Sequence, residues 1–145
     1  MKMIDRVKIN APIKMVFDYI SNAEKQKLWM DGLVRTEFVN KWDESNPVGT
    51  QFKQHLIKGH RKVAYEFQGE ILEYTFPNLY AVRIKGQGIT AVVHYHLDEF
   101  EGKTQLNSEV VMEFDGNFIA RFIGKMAAHH NKQDIKKLIA LVEKV

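Results

Sequence analysis

The chain has 145 residues, of which 45% are apolar, 11% are aromatic and three are proline, and its formal net charge is +3. This length and composition are typical of one folded domain and exclude a disordered or collagen-like chain. The absence of cysteine excludes disulfides, thiolate catalysis and cysteine-ligated zinc.

The charge pattern and the hydropathy pattern also limit the partners. Lysine and arginine are spread along the chain, whereas a nucleic-acid-binding domain concentrates them on one face, so we expect no nucleic-acid partner. No apolar run approaches the ~20 residues that span a bilayer, so we expect no stable membrane insertion. The N-terminal sequence MKMIDRVKIN lacks the apolar core of a signal peptide, and we therefore expect a cytoplasmic protein.

The first 30 residues predict a strand followed by two short helices. Polar and apolar side chains alternate over residues 6–10, which is the spacing of a half-buried strand. Pro12 suits the first turn of a helix, and the apolar side chains within 16–20 give that helix one buried face. Ser21-Asn22 then ends that helix and can cap a second short helix, which reaches about Leu28.

From residue 33 onward, alternating side chains predict six further strands. These strands begin near residues 34, 52, 63, 80, 93 and 106. Turn-forming sequences separate several of them: WDESNPVG, Phe76-Pro77-Asn78, Gly86-Gln87-Gly88 and Glu101-Gly102. Each strand has one apolar face, so the sheet that they form must be covered on one side.

The C-terminal segment is the only element large enough to cover that face. From about Asn117 to Lys144 it forms one proline-free helical pattern, about 40 Å long at the helical rise of ~1.5 Å per residue. The predicted order is therefore a strand, two short helices, six antiparallel strands and a long terminal helix. This order predicts an α+β domain in which a helix packs on a sheet.

Four short motifs occur in the order typical of a known superfamily: INAPIKMVFDYISN at 9–22, LWM at 28–30, PVGTQF at 47–52 and GKTQL at 102–106. They resemble the START-like, or SRPBCC, superfamily, and within it the polyketide cyclase/dehydrase and lipid-transport branch. The resemblance implies a helix-grip fold, in which a seven-stranded curved antiparallel sheet carries two short helices after its first strand. The long C-terminal helix packs on the concave face. The motifs extend along the whole chain, so we expect a single domain over residues 1–145.

The resemblance implies a deep cavity between the sheet and the terminal helix, used in relatives for lipids, sterols, polyketides and other apolar ligands. One face of that helix has small residues in its first half and large ones in its second: Ala120, Gly124, Ala127 and Asn131, then Ile135, Leu138 and Val142. Small residues under a curved sheet would leave space, although they would also let the helix and sheet pack closely. We predict these cavity residues: Phe52, Tyr65, Phe67, Val82, Val93, Tyr95, Ser108, Met112, Gly124, Met126 and Ala127.

The two tryptophans belong to loops at the end of this cavity. We expect Trp29 to be buried, with the two short helices, at the open end between the first two strands. Near Trp29 and Trp42, the apolar side chains at the start of the terminal helix are either covered by loops or form an apolar mouth for the ligand. These side chains are Phe118, Ile119, Phe122 and Met126.

A catalytic cavity would need a general acid or base on its inner surface. The inward pattern offers hydroxyls and one carboxylate, without a carboxylate–histidine pair: Tyr65, Tyr80, Tyr95, Ser108 and Glu73. Tyr65, Tyr95 and Ser108 would also suit ligand orientation. We therefore predict a non-catalytic carrier or sensor of a small hydrophobic, lipid-like or polyketide-like ligand, without a cofactor, as a monomer or weak homodimer. A cyclase- or dehydratase-like enzyme and an interaction or chaperone-accessory module are the alternatives.

The histidines allow a metal hypothesis. His94 and His96 share one strand face, and a two-residue turn at Glu101-Gly102 would place His94 opposite Glu109. Two imidazoles and a carboxylate can hold zinc. This face is, however, the polar side of the sheet, where a cross-strand charge pair accounts for the same residues. We therefore predict no metal site.

Overall fold

A computed structural model describes residues 1–115 and 118–144, without the side chains of 118–128. The strands are β1 (Lys2–Ile9), β2 (Leu33–Phe38), β3 (Gln51–Lys58), β4 (Val63–Thr75), β5 (Leu79–Gly86), β6 (Ile89–Phe100) and β7 (Lys103–Phe114). The helices are α1 (Ile13–Ser21), α2 (Ala23–Gln26) and α3 (Phe118–Glu143). Their order is the predicted one.

The strands form one antiparallel sheet of seven strands in the order β1-β7-β6-β5-β4-β3-β2. The first two strands are therefore the two edges, and α1 and α2 connect one edge to the other. We call α1 and α2 the plug helices, because α1 contacts β5, β6 and β7 from the concave side while α2 contacts β2. This architecture confirms the predicted α+β helix-grip fold. Within the described residues, no helix has the length and apolar character that a bilayer span requires.

The plug helices are defined by their apolar spacing and by one cap. The buried side chains of α1 are Ile13, Val16, Phe17 and Ile20, which recur at helical spacing. Asn22 separates the helices, because its Oδ1 accepts hydrogen bonds from the backbone N–H groups of Glu24 (2.9 Å) and Lys25 (3.1 Å). An asparagine in this position satisfies N–H groups that have no partner within the helix. The predicted cap is therefore confirmed.

The second half of α3 closes the core at the same end as the plug helices. Ile135, Leu138 and Val142 lie on one face of the helix and are buried. The helix contacts β1, β7 and α1. Its last turn is also held by Glu143, whose Oε1 accepts a hydrogen bond from the backbone N–H of Asn10 at 2.9 Å. The second half of α3 therefore packs against the β1 edge of the sheet and against α1.

Trp29 is buried beneath the plug helices, as predicted, with 1% of its surface exposed. Its indole Nε1–H donates a hydrogen bond to the Tyr19 carbonyl at 2.8 Å. The indole also meets the Tyr95 ring in an edge-to-face contact with centroids 6.5 Å apart. A buried indole needs such a hydrogen-bond acceptor, and α1 supplies it.

One site prediction is wrong, and a bulge in β4 explains it. Ile71 pairs with Val82, but Glu73 pairs with Ala81, so Leu72 is an extra residue in the strand. An extra residue reverses the alternation of faces beyond it. Glu73 therefore lies on the convex face instead of the concave face, where its Oε2 is 3.5 Å from His94 Nε2.

Candidate functional site

The sheet register brings four of the predicted cavity residues into two neighbouring rows on the concave face. One row contains Ile71, Val82, Val93, Val110 and Met3. The next contains Phe52, Gly69, Ile84, Ala91 and Met112. Both rows are apolar along their length, so this part of the concave face offers a continuous apolar surface.

The two phenylalanines of the predicted site lie against glycines of the neighbouring strands. A Cβ atom on Gly69 would be only 2.2 Å from the Phe52 ring, and one on Gly86 would be 2.4 Å from the Phe67 ring. The glycines therefore provide the space in which these rings rest on the adjacent strand. Sequence periodicity placed both rings on the concave face but did not reveal this sideways position.

The remaining predicted residues are divided between the described sheet and undescribed side chains. Tyr65 is half-buried on β4, opposite Leu56 of β3. Met112 packs with Ala91 and Val110 in a small cluster separate from the main core. The predicted contributions of α3 to the cavity, from Gly124, Met126 and Ala127, lie outside the described side chains, as do Phe118, Ile119 and Phe122.

Two buried tyrosines supply hydroxyl groups near the middle of the concave face. The rings of Tyr80 and Tyr95 stack with centroids 6.3 Å apart and an interplanar angle of 20°. Burial raises the pKa of both phenols, and a hydrogen bond with the Gln26 side chain opposes this rise for Tyr80. Both side chains therefore remain neutral at physiological pH and can donate as well as accept hydrogen bonds.

Asp134 of α3 lies near the same tyrosines. Its Oδ1 accepts a hydrogen bond from the backbone N–H of Asp31 at 3.1 Å, which connects α3 to the loop before β2. Burial raises the pKa of Asp134, although the charges of Lys58 and Lys137 oppose the rise. The charge of Asp134 in turn contributes to the raised pKa of Tyr95. Asp134 therefore links α3 to the loop before β2 by a hydrogen bond and acts on Tyr95 through its charge.

An open cleft of about 320 Å³ lies between the plug helices and strands β2 to β5. Aromatic side chains form much of its wall: Phe38, Trp42, Phe52, Tyr74 and Tyr80. The ring of Trp42 contacts those of Phe38, at 5.8 Å between centroids, and Tyr74, at 6.1 Å. Phe52 and Tyr80 also belong to the main core, so side chains of the concave face form the inner wall of the cleft.

Of the residues predicted to line the cavity, Phe52 also lines this cleft, and so does Tyr80, which the sequence offered as an inward hydroxyl. Phe38 and Trp42 are four residues apart, which was a signal for an aromatic cluster after β2. Alternation could not identify Tyr74, because the bulge at Leu72 moves the residues after it to the opposite face of the sheet. The cleft also has an acidic rim, formed by Asp18, Glu24 and Glu44.

The convex face carries the histidines that suggested a metal site. His94 lies opposite Glu109, as predicted. Of the nearby carboxylates, Glu109 forms an ion pair with Lys2 at 3.8 Å, and Glu73 Oε2 lies 3.5 Å from His94 Nε2. In the parts of the chain that are described, no three histidine or carboxylate side chains are grouped so that they could hold a metal ion.

A family model described as polyketide cyclase/dehydrase and lipid transport matches residues 2–145. The chain belongs to this family. The match extends over nearly the whole sequence and includes the corner between β1 and α1. The family's description names both catalysis and lipid transport, and membership alone does not choose between them. No curated protein matches the chain.

Solved structures similar to this family member include proteins of different origin. A protein of Chromobacterium violaceum superposes with a TM-score of 0.78 at 15% identity, covering 99% of this chain and 98% of that one. Ara h 8.0201 gives 0.80 at 12% identity, covering 100% and 99%. The di-domain ARO/CYC StfQ from the steffimycin biosynthetic pathway gives 0.74 at 11% identity, covering 98% of this chain and 44% of StfQ. Identities this low support the shared fold alone.

Proposed function

We propose that this protein binds a small hydrophobic, lipid-like or polyketide-like molecule between the sheet and α3 and carries or senses it without chemical change. The observation that supports the proposal is the aromatic cleft, whose inner wall includes Phe52 and Ile71 of the two apolar rows on the concave face. Its volume of about 320 Å³ is at the lower end of the range of small-molecule sites.

The residues proposed to hold the ligand are those predicted to line the cavity. Phe52, Val82, Val93 and Met112 supply apolar surface in the two rows described above. Tyr65 and Phe67 extend that surface along β4 toward the β3–β4 hairpin. Binding would be driven by removal of apolar area from water, at roughly 25 cal/mol per Å².

The placement of the histidines favours carriage over catalysis. In the described strands, His55 and His94 lie on the convex face beside Glu66 and Glu73, and His96 lies on that face as well. The concave side of these strands therefore has no imidazole to act as a general base. A carrier needs apolar surface and a few orienting groups, and both are available here.

The proposal is tested by ligand-dependent thermal stability. A panel of fatty acids, sterols and polyphenols should contain compounds that raise the melting temperature in proportion to the logarithm of their concentration. Ala23 lines the cleft, so Ala23→Phe should narrow it and reduce the shift. Ala64→Phe is the matched control, because Ala64 is exposed on the outer face of β4. The proposal fails if no compound shifts the melting temperature, or if both variants respond like the wild type.

A further inference from the structure

One row of the concave face is polar along its whole length. Tyr74, Tyr80, Tyr95, Ser108 and Asp5 are successive cross-strand partners on β4, β5, β6, β7 and β1. We call these five residues the polar row. Five adjacent strands thus each place an oxygen-bearing side chain at the same level of the sheet, with neighbours about 4.8 Å apart.

Apolar rows lie on both sides of the polar row. On one side is the row that contains Val82 and Val93, and on the other Leu97 pairs with Leu106, which pairs with Val7. The polar row is therefore a narrow band within an apolar surface. On these five strands, a ligand that contacts the three rows would meet polar side chains along that band.

In this polar row, the hydroxyl of Ser108 is buried without a hydrogen-bond partner in the described part of the chain, which hydrogen bonding within the fold does not account for. Its side chain is 1% exposed, and its buried Oγ has no hydrogen-bond partner among the described residues. It lies between Tyr95 and Asp5 in the register. A buried hydroxyl without a partner destabilises the folded state, and native proteins contain few of them.

Asn131 of α3 is a second buried group of this kind. Its Nδ2 is buried and has no partner among the residues that the structure describes. Asn131 precedes Ile135 by four residues and Leu138 by seven, so it shares their buried helix face. Leu138 of the same helix face belongs to the main core together with Tyr95, and α3 contacts β7, the strand that carries Ser108. Asn131 therefore lies on the helix face that is directed at the core, on the side of the sheet where Tyr95 and Ser108 are buried.

We infer that Tyr95, Ser108 and Asn131 form a recognition point for a neutral carbonyl oxygen of the ligand. This inference rests on the proposed function and specifies the chemistry of the ligand. The amide nitrogen of Asn131 can only donate hydrogen bonds, and the two neutral hydroxyls can donate as well. These donors fit an acceptor oxygen, whose two lone pairs can accept hydrogen bonds from two of the three groups at once.

The same surroundings disfavour charged ligand groups. An ammonium group has no lone pair for the Asn131 donor. A carboxylate could accept these bonds, but it would lie near two acidic residues, Asp5 on the polar row and Asp134 on α3. Like charges in a partly buried site repel each other strongly. A ketone or a similar uncharged carbonyl satisfies the donors without that repulsion.

Three probes with one ring system test the inference: acetylnaphthalene, ethylnaphthalene and naphthoate, with dissociation constants measured by isothermal titration calorimetry. Acetylnaphthalene should bind about fivefold or more tightly than each of the others, as expected for one additional net hydrogen bond. Ser108→Ala and Asn131→Leu should each reduce this preference to about twofold or less, while affinity for ethylnaphthalene stays unchanged. Ser45→Ala, at an exposed loop serine, should keep the wild-type preference.

The melting temperature of the ligand-free protein distinguishes a binding role of Ser108 from a structural role. Removing an unpaired buried hydroxyl relieves a cost, so Ser108→Ala should leave the melting temperature unchanged or raise it. A marked loss of stability would show that Ser108 has a structural partner and would overturn the inference. Equal binding of acetylnaphthalene and ethylnaphthalene would overturn it too, while the proposed carriage of apolar ligands would stand. Failure of all three probes to bind would overturn both.

Discussion

The indole of Trp29 joins the plug helices to the sheet. It is buried, it donates a hydrogen bond to the Tyr19 carbonyl at 2.8 Å, and it packs on Tyr95. Trp29→Ala would leave a large cavity and a carbonyl without its donor, so it should lower the free energy of unfolding by about 3–5 kcal/mol. Urea denaturation at equilibrium measures this loss.

Trp29→Phe separates the two contributions of that side chain. Phenylalanine keeps most of the packing on Tyr95 but loses the hydrogen bond to Tyr19, and should cost less than the alanine variant. If Trp29→Ala costs under about 1 kcal/mol, the site has collapsed around the missing ring or the indole does not support the core.

Asp134 should make stability depend on pH. Burial raises the pKa of its carboxyl in the folded state. A raised folded pKa means that the ionised form is less favourable in the folded chain than in the unfolded one. Below the pKa of the unfolded chain, near 3.9, Asp134 is protonated in both states and does not affect stability. As the pH rises through the folded pKa, the carboxyl ionises in the folded state and stability falls.

Asp134→Asn removes this titration and keeps an oxygen that can accept the Asp31 N–H hydrogen bond. The variant should therefore melt at a higher temperature than the wild type at pH 7, and the difference should shrink below about pH 4. Melting curves across this range measure the effect. A destabilised variant at pH 7 would mean that attraction to Lys58 and Lys137 outweighs the burial of the carboxylate.

At the scale of elements, the pairs of phenylalanine and glycine shape the middle of the sheet. A Cβ atom added to Gly69 would lie only 2.2 Å from the Phe52 ring, which is too close for both groups to keep their positions. Gly69→Ala should displace this ring and cost about 1–3 kcal/mol, the usual range for overpacking. In the double variant with Phe52→Leu the added methyl has more room, so the two changes should cost less together than the sum of their separate costs. Additive costs would show that the ring does not rest on Gly69.

The order of the elements could be predicted because each local signal was consistent with the fold. Alternation marked the strands, and the cap at Asn22 separated the plug helices. The bulge at Leu72 could not be predicted, since an extra residue leaves the composition of a strand unchanged. It placed Glu73 on the convex face and Tyr74 in the cleft.

The polar row was only partly visible in the sequence. Tyr95 and Ser108 were recognised as inward polar groups, but their adjacency depends on the pairing of β6 with β7. Asp5 was missed because β1 lies next to the last strand, a pairing between distant parts of the chain. Single-strand patterns give the face of a side chain, whereas its neighbours follow from register.

At the scale of the whole molecule, α3 closes both the core and the proposed site. Leu138 is fully buried, so Leu138→Ala should reduce the free energy of unfolding by about 2–5 kcal/mol while unfolding stays cooperative.

Deleting residues 117–145 would have a larger effect, because the apolar rows and the polar row would lose their cover on the concave face. The contacts of α3 with the rest of the fold, through Asp31 and Asn10, would be lost as well. The truncated chain should be insoluble, or compact with strong ANS fluorescence and no near-ultraviolet circular dichroism. The Leu138→Ala protein is the matched control, since it keeps the helix and its ends. A soluble truncated chain that unfolds in one cooperative transition would mean that the sheet and plug helices form a complete core alone. Ligand binding would then have to be explained without α3.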